Sequence, residues 1–472
     1  MAPLFVAVAL RASAPLYTRW AAFRLGLLTG ILYFAGTLYW TVDVMAQYGG
    51  IATPVAVGCA ALLVLYLSLY IGAVAVLLGD AVRRLGVRGV WLAPVFWVAL
   101  EWTRGWIGGG FPWVPLGSSQ ATVLPIAQLA AVTGVYGLSF LVALVSAAAA
   151  VLALTRQRTQ LFAVAGVAGL VLAVAAAGAV RLMDNRLNTQ GRVVRVGLVQ
   201  GNVPQDMKWD PKNREMILQR YLQLSRQTIQ AGAELVIWPE SSTPFFLERD
   251  SALAAPIHAL AAQTKATFVV GTDEFDGEKI YNTASVIGAD GRTRGVYRKM
   301  HLVPFGEYVP LKKLLFFVGP LVEAVSDFSP GTDAAVLDLD HGMQGSVAIC
   351  YESTYPSLAR EFVARGASVL MVITNDAWFG LSSAAFQHFE MGALRAVENG
   401  RYLARAGNTG VTAIVDPYGR VTARLDLFEA GALSWDLRLL DGRTIYTRIG
   451  DLIAWLSAAL TLACMAAFAR RA

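Results

Sequence analysis

The sequence predicts a polytopic α-helical membrane bundle joined to an extramembrane α/β domain. Three observations support this fold class. Of the 472 residues, 56% are hydrophobic and only 15% are charged, whereas soluble domains carry about 25% charged residues. The mean hydropathy is +0.51, and the apolar residues are gathered in long stretches. One block of ordinary charge density separates the last stretch from the others, and strand and helix patterns alternate within it.

Six apolar stretches approach the length that crosses a bilayer core of roughly 30 Å, which takes about 20 helical residues. They are Leu25–Val44, Ile51–Leu78, Val90–Trp106, Val135–Leu154, Leu161–Val180 and Leu452–Phe468. The third and the sixth are at the short end. We therefore predict a transmembrane helix bundle over residues 1–181, an extramembrane domain over 182–448 and a C-terminal transmembrane helix over 449–472.

Arginines in the short loops predict the orientation of the bundle. They precede the first stretch, separate the second from the third and the fourth from the fifth, and follow the last: Arg19, Arg24, Arg83, Arg84, Arg88, Arg156, Arg158, Arg470 and Arg471. If the stretches cross the membrane alternately, all of these lie on one side, and basic loops stay in the cytoplasm. The 182–448 domain is therefore expected outside the cytoplasm. Met1–Leu10 is interpreted as the end of a helix whose start is absent from this chain.

The composition argues against several classes of function. The net charge of +6 is spread along the chain without a lysine or arginine block, so no nucleic-acid partner is expected. Three cysteines do not suggest a disulfide framework. Cys59 and Cys464 lie inside apolar runs, unlike Cys350. The four histidines show no metal-binding spacing, so no metal or other cofactor is expected.

Short apolar runs in the extramembrane block predict buried strands that alternate with helices. The strands are predicted at Val194–Val199, Leu235–Trp238, Phe268–Val270, Ala284–Ile287, Val347–Ile349 and Val369–Ile373. Asp210 and Pro211 are typical of a helix start, and another helix is predicted over Phe389–Glu398. Asp290 and Gly291 are typical of a hairpin turn.

Reactive side chains stand just beyond apolar strands in three segments. Glu240 follows the second predicted strand, Lys299 and Glu307 lie in a segment that starts at Tyr297, and Cys350 directly follows the fifth strand. Strand ends are where α/β folds place their sites, because the scaffold is rigid and the loop is free to vary. Taken singly, such a glutamate is usually solvated, such a lysine lies on the surface and such a cysteine is often core. Their joint occurrence favours a site.

The chemistry of these side chains suggests transfer of an acyl group through a thiol. Cys350 is a good nucleophile only as a thiolate, so it needs a base and a positive environment. Glu240 is the candidate base, and burial beside Glu307 is expected to raise its pKa. Lys299 is the candidate donor to the oxyanion of the tetrahedral intermediate, and one such donor is worth about 10²–10³ in rate.

The sequence around these residues resembles the carbon–nitrogen hydrolase, or nitrilase, superfamily. The resemblance rests on residues 238–240, 297–310 and 349–353. Further segments extend it to nearly the whole chain, where it resembles the family of apolipoprotein N-acyltransferases: 97–105, 110–113 and 134–140 in the membrane half, and 199–210 and 374–380 in the α/β domain.

This resemblance implies a nitrilase-like α-β-β-α sandwich in the periplasm, attached to a multi-pass bundle in a bacterial inner membrane. It implies a triad of Glu240 as general base, Lys299 as oxyanion stabiliser and Cys350 as the nucleophile that forms a thioester. An acyl chain of a membrane phospholipid would pass to the α-amino group of the diacylglyceryl-modified N-terminal cysteine of an apolipoprotein, the last step of lipoprotein maturation. The enzyme is expected to be a monomer.

The resemblance also assigns supporting positions. Glu307 matches the supporting carboxylate of the superfamily, and Tyr351, Glu352 and Trp209 match positions that the family needs for activity. The stretch Leu311–Pro330 resembles a mobile lid that faces the membrane, and a buried core segment would explain its composition equally well. The family normally begins with about one more hydrophobic span than this chain, which leaves the number of spans open.

Alternative functions make different demands on the sequence. A membrane-tethered amidase or nitrilase would use the same triad with water as acceptor, and would need a polar pocket open to water. A transporter or scaffold with a decayed domain would lack part of the triad, and no member is missing. Glu101 and Arg104, three residues apart in the third apolar stretch, are expected to form a structural ion pair rather than a substrate contact.

Overall fold

The computed structural model of the protein describes residues 1–304, 306–308 and 327–469. The chain forms two compact units. The first comprises Met1–Asp184 and Ile449–Ala472, and the second comprises Asn185–Arg448. Most of the predicted lid lies outside the described residues, and so do the two arginines that follow the last apolar stretch.

Helices make up the first unit. They are α1 (Ala2–Ala12), α2 (Arg19–Leu38), α3 (Trp40–Asp43), α4 (Thr53–Leu85), α5 (Ala93–Arg104), α6 (Leu124–Ala127), α7 (Ala130–Leu154), α8 (Arg158–Asp184) and α15 (Leu452–Ala469). A π-helical segment, Val44–Tyr48, continues α3, and a 3₁₀ segment, Gly86–Leu92, joins α4 to α5. Each of the six predicted apolar stretches falls on these elements.

Five helical segments in the described part of the chain are long and apolar enough to cross a membrane. They are Arg19–Leu38, Thr53–Arg104, Ala130–Leu154, Arg158–Asn188 and Leu452–Ala469. The second segment contains two of the predicted stretches, Ile51–Leu78 and Val90–Trp106. They are separate helices because α4 ends just before Gly86, whose φ of 59° is left-handed. The following helix, α5, has 12 residues, or about 18 Å at 1.5 Å per residue, which is short for a bilayer. The predicted span Val90–Trp106 is therefore a short helix.

Helices α2 and α4 approach each other closely at two buried glycines. A Cβ atom at Gly26 would lie 2.5 Å from the backbone oxygen of Ile71, and one at Gly30 would lie 2.7 Å from Cα of Ser68. Small residues four positions apart let two helix backbones meet, which favours association in lipid, where little hydrophobic driving force exists between helices.

Among the described residues, Glu101 and Arg104 do not form the predicted ion pair. Glu101 instead accepts hydrogen bonds from the backbone N–H of Leu116 at 2.7 Å and from the indole N–H of Trp97 at 3.2 Å. The Arg104 guanidinium lies 5.3 Å from the ring centre of Phe34. Glu101 therefore ties the loop after α5 to that helix, a role that the spacing of the two charges did not predict.

Two six-stranded sheets form the centre of the second unit. Their strands are β1 (Val193–Gln200), β2 (Leu235–Ile237), β3 (Thr267–Asp276), β4 (Lys279–Ile287), β5 (Thr293–Arg298), β6 (Leu337–Asp338), β7 (Gln344–Ile349), β8 (Val369–Thr374), β9 (Leu403–Gly407), β10 (Thr412–Val415), β11 (Val421–Leu425) and β12 (Gly431–Arg438). The order is β12-β1-β2-β3-β4-β5 in one sheet and β11-β10-β9-β8-β7-β6 in the other. The central strands β1-β2-β3 and β7-β8-β9 are parallel, and antiparallel strands flank them.

Helices cover both sheets. The helices of this unit are α9 (Gln205–Lys208), α10 (Arg214–Gln230), α11 (Ser251–Thr264), α12 (Pro356–Ala364), α13 (Ala384–Asn399) and α14 (Ile445–Ile449). The sheets face each other through β1 against β9 and β10, while α10 packs on β1 and β2, α12 on β7 and α13 on β9. Buried Tyr221, Trp238 and Phe268 join the helices to the first sheet. The unit is the α-β-β-α sandwich that the resemblance implied.

The predicted elements of this unit coincide with observed ones and are mostly shorter. Each of the six predicted strands overlaps an observed strand, and the predicted helix Phe389–Glu398 lies within α13. The hairpin turn between β4 and β5 contains Gly291, with a φ of 76°. The helix after Asp210 begins later than predicted, because Pro211–Asn213 forms a 3₁₀ turn and α10 starts at Arg214.

Candidate active site

The three predicted catalytic side chains each follow the end of a strand in the second unit. Glu240 comes three residues after β2, Lys299 directly follows β5, and Cys350 directly follows β7. All three residues are buried, with exposed fractions of 6%, 1% and 9% in that order. Strands from both sheets therefore supply the site, which the facing arrangement of the sheets makes possible.

Lys299 contacts two carboxylates at once. Its Nζ lies 3.2 Å from Oε1 of Glu240 and 2.8 Å from Oε1 of Glu307. Asn282 on β4 donates to the same two oxygens, at 2.8 and 3.0 Å. The remaining oxygen of Glu240 accepts the backbone N–H of Asn375 at 2.9 Å. The structure thus brings together Glu240, Lys299 and Glu307 and holds each with several hydrogen bonds.

These contacts determine the charges of the cluster. Burial alone would raise the pKa of Glu240. The ammonium of Lys299 and the hydrogen bond from Asn282 lower it by more than burial raises it, so the pKa lies below its ordinary value. Burial lowers the pKa of Lys299, while Glu307 and Glu240 raise it well above the usual range. The expectation that burial beside Glu307 would raise the pKa of Glu240 is wrong, because the charge of Lys299 and the hydrogen bonds to the carboxylate outweigh the effect of burial.

Cys350 lies in a strained turn under the influence of both charges. Its φ of 52° is left-handed, a conformation that is uncommon for residues other than glycine. Burial raises the pKa of the Cys350 thiol, the carboxylate of Glu240 raises it further, and Lys299 offsets only part of this rise. These effects favour the protonated thiol, so its use as a nucleophile requires a base.

Glu352 joins the loop after Cys350 to the loop after β5. Its Oε1 accepts the hydroxyl of Tyr297 at 2.8 Å and the backbone N–H groups of Met300 at 2.7 Å and His301 at 3.1 Å. Its Oε2 accepts the backbone N–H of Ile349 at 2.8 Å. Burial raises the pKa of Glu352 to about 7, and the N–H donors limit the rise. This side chain fixes the positions of two loops that carry candidate catalytic residues.

The other predicted supporting residues differ in their surroundings. Tyr351 is buried beside Tyr355, with ring centres 5.4 Å apart. Trp209 directly follows α9 and is 45% exposed, so it stands apart from the buried cluster. The part of the predicted lid that the structure describes includes Phe328, whose backbone N–H donates to the backbone oxygen of Glu307.

A second buried network lies behind the nucleophile, and the sequence interpretation missed it. Nδ1 of His388 lies 3.0 Å from Oδ1 of Asp376, and Nε2 lies 2.9 Å from the backbone oxygen of Cys350. Arg405 donates to Oδ2 of Asp376 at 2.7 Å. Buried histidine, aspartate and arginine on separate elements give no contiguous motif. The only indication in the sequence was the segment 374–380, which contributes to the family resemblance but gave no role to Asp376.

The same network invites a metal interpretation. One ligand atom each of Cys350, Asp376 and His388 lie within 4.8 Å of one another. The guanidinium of Arg405, however, bonds to Asp376 and lies 3.0 Å from Nδ1 of His388. A fixed positive charge in contact with two candidate ligands disfavours a cation there. The donor set suits a hydrogen-bond network that positions the nucleophile, and the expected absence of a metal cofactor stays a prediction.

The arrangement has the parts that acyl transfer through a thioester needs. Glu240 has a carboxylate that can accept a thiol proton, and Lys299 has an ammonium that can stabilise an oxyanion. The thiol of Cys350 is held in a turn. The charges of Glu240 and Lys299 both act on the pKa of the Cys350 thiol, in opposite directions. Perturbed titratable groups that converge from several strand ends are typical of active sites.

Comparison with known protein families agrees with both units. Residues 195–445 match the carbon-nitrogen hydrolase family, and residues 1–148 match the N-terminal domain of apolipoprotein N-acyltransferase. The first of these matches covers more than half of the chain.

Individual relatives extend over most of the chain. An apolipoprotein N-acyltransferase of Geobacter metallireducens is 41% identical over 444 residues, which cover 92% of this chain and 84% of that protein. One from Shewanella oneidensis is 34% identical over 468 residues, covering 95% of this chain and 88% of that protein. Among solved structures, an amidase of the nitrilase superfamily from Nesterenkonia AN1 covers 55% of this chain and 94% of its own, with a TM-score of 0.41 and 24% identity.

Proposed function

Because this chain belongs to the carbon-nitrogen hydrolase and apolipoprotein N-acyltransferase families, it is an acyltransferase, and we propose a specific reaction for it. It moves an acyl chain from a membrane phospholipid to the α-amino group of the diacylglyceryl-modified N-terminal cysteine of an apolipoprotein. The observation that carries the proposal is the buried contact of Lys299 with Glu240 and Glu307, beside Cys350.

In the first half of the reaction, Cys350 takes the acyl chain. Glu240 removes the proton of the thiol as Sγ attacks the ester carbonyl carbon of the phospholipid. Lys299 stabilises the resulting oxyanion, and Glu307 holds Lys299 in place. The bond from the carbonyl carbon to the glycerol oxygen breaks, and Glu240 returns the proton to that oxygen. The products are a lysophospholipid and a thioester on Cys350.

In the second half, the acceptor amine replaces the thiol. The uncharged α-amino group attacks the thioester carbonyl, Glu240 accepts a proton from the nitrogen, and Lys299 again stabilises the oxyanion. The carbon–sulfur bond breaks, the amide forms, and the proton passes from Glu240 to Sγ. Glu240 therefore acts as base and then as acid in each half, which suits a carboxylate that is already ionised at rest.

We also propose a location and an assembly state. The one-sided arginine pattern supports a catalytic domain in the periplasm and a multi-pass anchor, residues 1–181 and 449–472, in the inner membrane of a bacterium. Substrates that are both lipid-anchored could then reach the site from the membrane surface. The proposed assembly state is a monomer, which acts without nucleic acid or cofactor.

Intact-protein mass spectrometry tests this function. The full-length protein and its Cys350→Ala variant are incubated with a vesicle of one defined phospholipid. We expect a mass gain of one acyl chain in the unmodified protein only, removed by neutral hydroxylamine, since hydroxylamine cleaves thioesters. Addition of a diacylglyceryl peptide with a free N-terminal amine should discharge the adduct onto the peptide.

The outcome that contradicts the proposal is also defined. If a folded protein whose Cys350 reacts with a thiol reagent gains no acyl chain, the donor assignment fails. If water discharges the thioester as fast as the lipopeptide does, the acceptor assignment fails and hydrolysis is the activity.

A further inference from the structure

Lys208 is a buried lysine that the sequence interpretation and the proposed reaction leave unused. It is the last residue of α9 and is 2% exposed, whereas the next residue, Trp209, is 45% exposed. Taking an ammonium group out of water is costly unless charges or hydrogen bonds compensate for it. The surroundings of Lys208 must therefore supply that compensation.

The compensation comes from the segment that carries Glu240. Nζ of Lys208 donates to the backbone oxygen of Glu240 at 3.1 Å. Burial lowers the pKa of Lys208 to about 8, while the carboxylates of Glu240 and Asp273 raise it. The charge of Lys208 in turn lowers the pKa of Glu240. Two buried lysines therefore act on Glu240. Lys208 binds its backbone oxygen and acts on its carboxylate through charge, whereas Lys299 contacts the carboxylate directly.

The backbone at this point needs support. Ser241, directly after Glu240, has a φ of 43°, which places a residue other than glycine in the left-handed region and stores strain. The hydroxyl of Ser241 donates to Asp273 at 3.1 Å, and the backbone N–H of Ser242 donates to Gly271 at 2.7 Å. Lys208 supplies the anchor on the other side of the strained residue.

We propose that Lys208 is a positioning residue for the acyl-transfer reaction, which holds the strained turn at Glu240 and, together with Lys299, keeps the Glu240 carboxylate ionised. The inference rests on the proposed role of Glu240 as base. It assigns no contact between Lys208 and the substrate. Its consequence is that the loss of Lys208 affects the rate of proton transfer and its dependence on pH, not the affinity for lipid.

The test compares Lys208→Met with the exposed neighbour Lys212→Met in the full-length protein in phosphatidylethanolamine vesicles. The rate of thioester formation on Cys350 in a single turnover is followed by mass spectrometry from pH 4 upward. In Lys208→Met we expect the maximal rate to fall about tenfold and the acid limb of the profile to move up by about one pH unit, since a nearby positive charge is lost. The phospholipid concentration for half-maximal rate should not change, and Lys212→Met should behave as the unmodified protein.

A double variant separates catalysis from folding. Lys208→Met leaves Asp273 buried without its cation, which destabilises the fold, and Asp273→Asn removes that cost. We expect the double variant to regain thermal stability while its maximal rate stays that of Lys208→Met. If the double variant regains the full rate, or if Lys208→Met has an unmodified profile, Lys208 has a structural role only and the inference is overturned.

The alkylation of Cys350 by iodoacetamide, which requires no lipid, is measured on the same variants. A positioning role predicts about tenfold slower alkylation at pH 7 in Lys208→Met, because the base that assists the thiol is displaced. If the unmodified protein forms no thioester, the proposed function fails, and the alkylation rates alone decide on Lys208. Equal rates in Lys208→Met and Lys212→Met would then reject the inference.

Discussion

Charge balance at single residues decides when Cys350, the proposed nucleophile, can react. Lys299 is held fully charged by two carboxylates, and Glu240 is held ionised by Lys299. The thiol of Cys350, in contrast, is disfavoured in its charged form, because burial and the charge of Glu240 both raise its pKa. A buried thiol whose pKa lies above its ordinary value reacts more slowly with oxidants and alkylating reagents than a thiolate does.

This balance predicts a pH dependence for Cys350. Since the folded-state pKa of the thiol lies above its ordinary value, the thiolate fraction keeps growing as the pH rises past that value. In the absence of lipid, the rate of Cys350 alkylation by iodoacetamide, measured by peptide mass spectrometry, should increase up to pH 9 without a plateau.

Lys299→Met provides the matched control for this prediction. Without the ammonium, nothing offsets the carboxylates, so alkylation at pH 8 should be slower still, by about tenfold or more. A plateau near pH 7 in the unmodified protein would instead mean that Lys299 stabilises a resting thiolate, contrary to the charge balance described here.

At the scale of elements, the site depends on the close packing of β3 against residues 239–240, which follow β2. A Cβ atom at Gly271 would lie 2.1 Å from the backbone oxygen of Pro239 and 2.7 Å from Cα of Glu240. Both neighbours are backbone atoms, so a side chain at this position cannot be accommodated by a change of rotamer. The glycine lets β3 lie directly against Glu240, the proposed base.

Gly271→Ala should therefore displace Glu240 and impair the reaction. A shift of about 1 Å in a catalytic group can cost about 10²-fold in rate, and we expect a loss of this order in single-turnover acylation of Cys350. Gly295→Ala on β5 is the control, because its nearest neighbour is a side-chain atom of Leu337 at 3.3 Å. Equal rates for the two variants would show that β3 does not determine the position of Glu240.

At the scale of the whole molecule, the chain consists of a helical unit and an α/β unit, each with its own core. The α/β unit contains every residue assigned to the reaction. The helical unit carries the apolar segments that can cross a membrane. Since donor and acceptor both carry acyl chains, attachment of the catalytic unit to a membrane restricts its search for them to a surface.

The proposed orientation predicts a labelling pattern. In a background with Cys59→Ser, Cys350→Ala and Cys464→Ser, Glu278→Cys places a thiol on the exposed β3–β4 turn, and Arg156→Cys places one between α7 and α8. A membrane-impermeant maleimide applied to intact spheroplasts should label the first variant. It should label the second only after permeabilisation. The reverse pattern would place the catalytic unit in the cytoplasm.

Local patterns in the sequence predicted a large part of this molecule. Apolar stretches predicted the helices of the first unit, because a segment in lipid must satisfy its own backbone hydrogen bonds. Short apolar runs predicted the central strands other than β9, which are largely buried and therefore mostly hydrophobic. Glu240, Lys299 and Cys350 were found because each directly follows such a run or lies within a segment that resembles a known family. Their roles as triad members stay proposals.

Only the tertiary structure decided the features that depend on contacts between distant segments. The strands β5, β6, β9, β10, β11 and β12 were not predicted. The last of them pairs with β1, which lies far earlier in the chain, so no local pattern marks it. Lys208 and Asp376 lie in the segments 199–210 and 374–380 but had no role assigned, and His388 gave no local signal, since burial of a polar residue becomes visible only when its partners are in place. The lowered pKa of Glu240 has the same origin: sequence could pair it with Glu307, but only the fold puts Lys299 in contact with both.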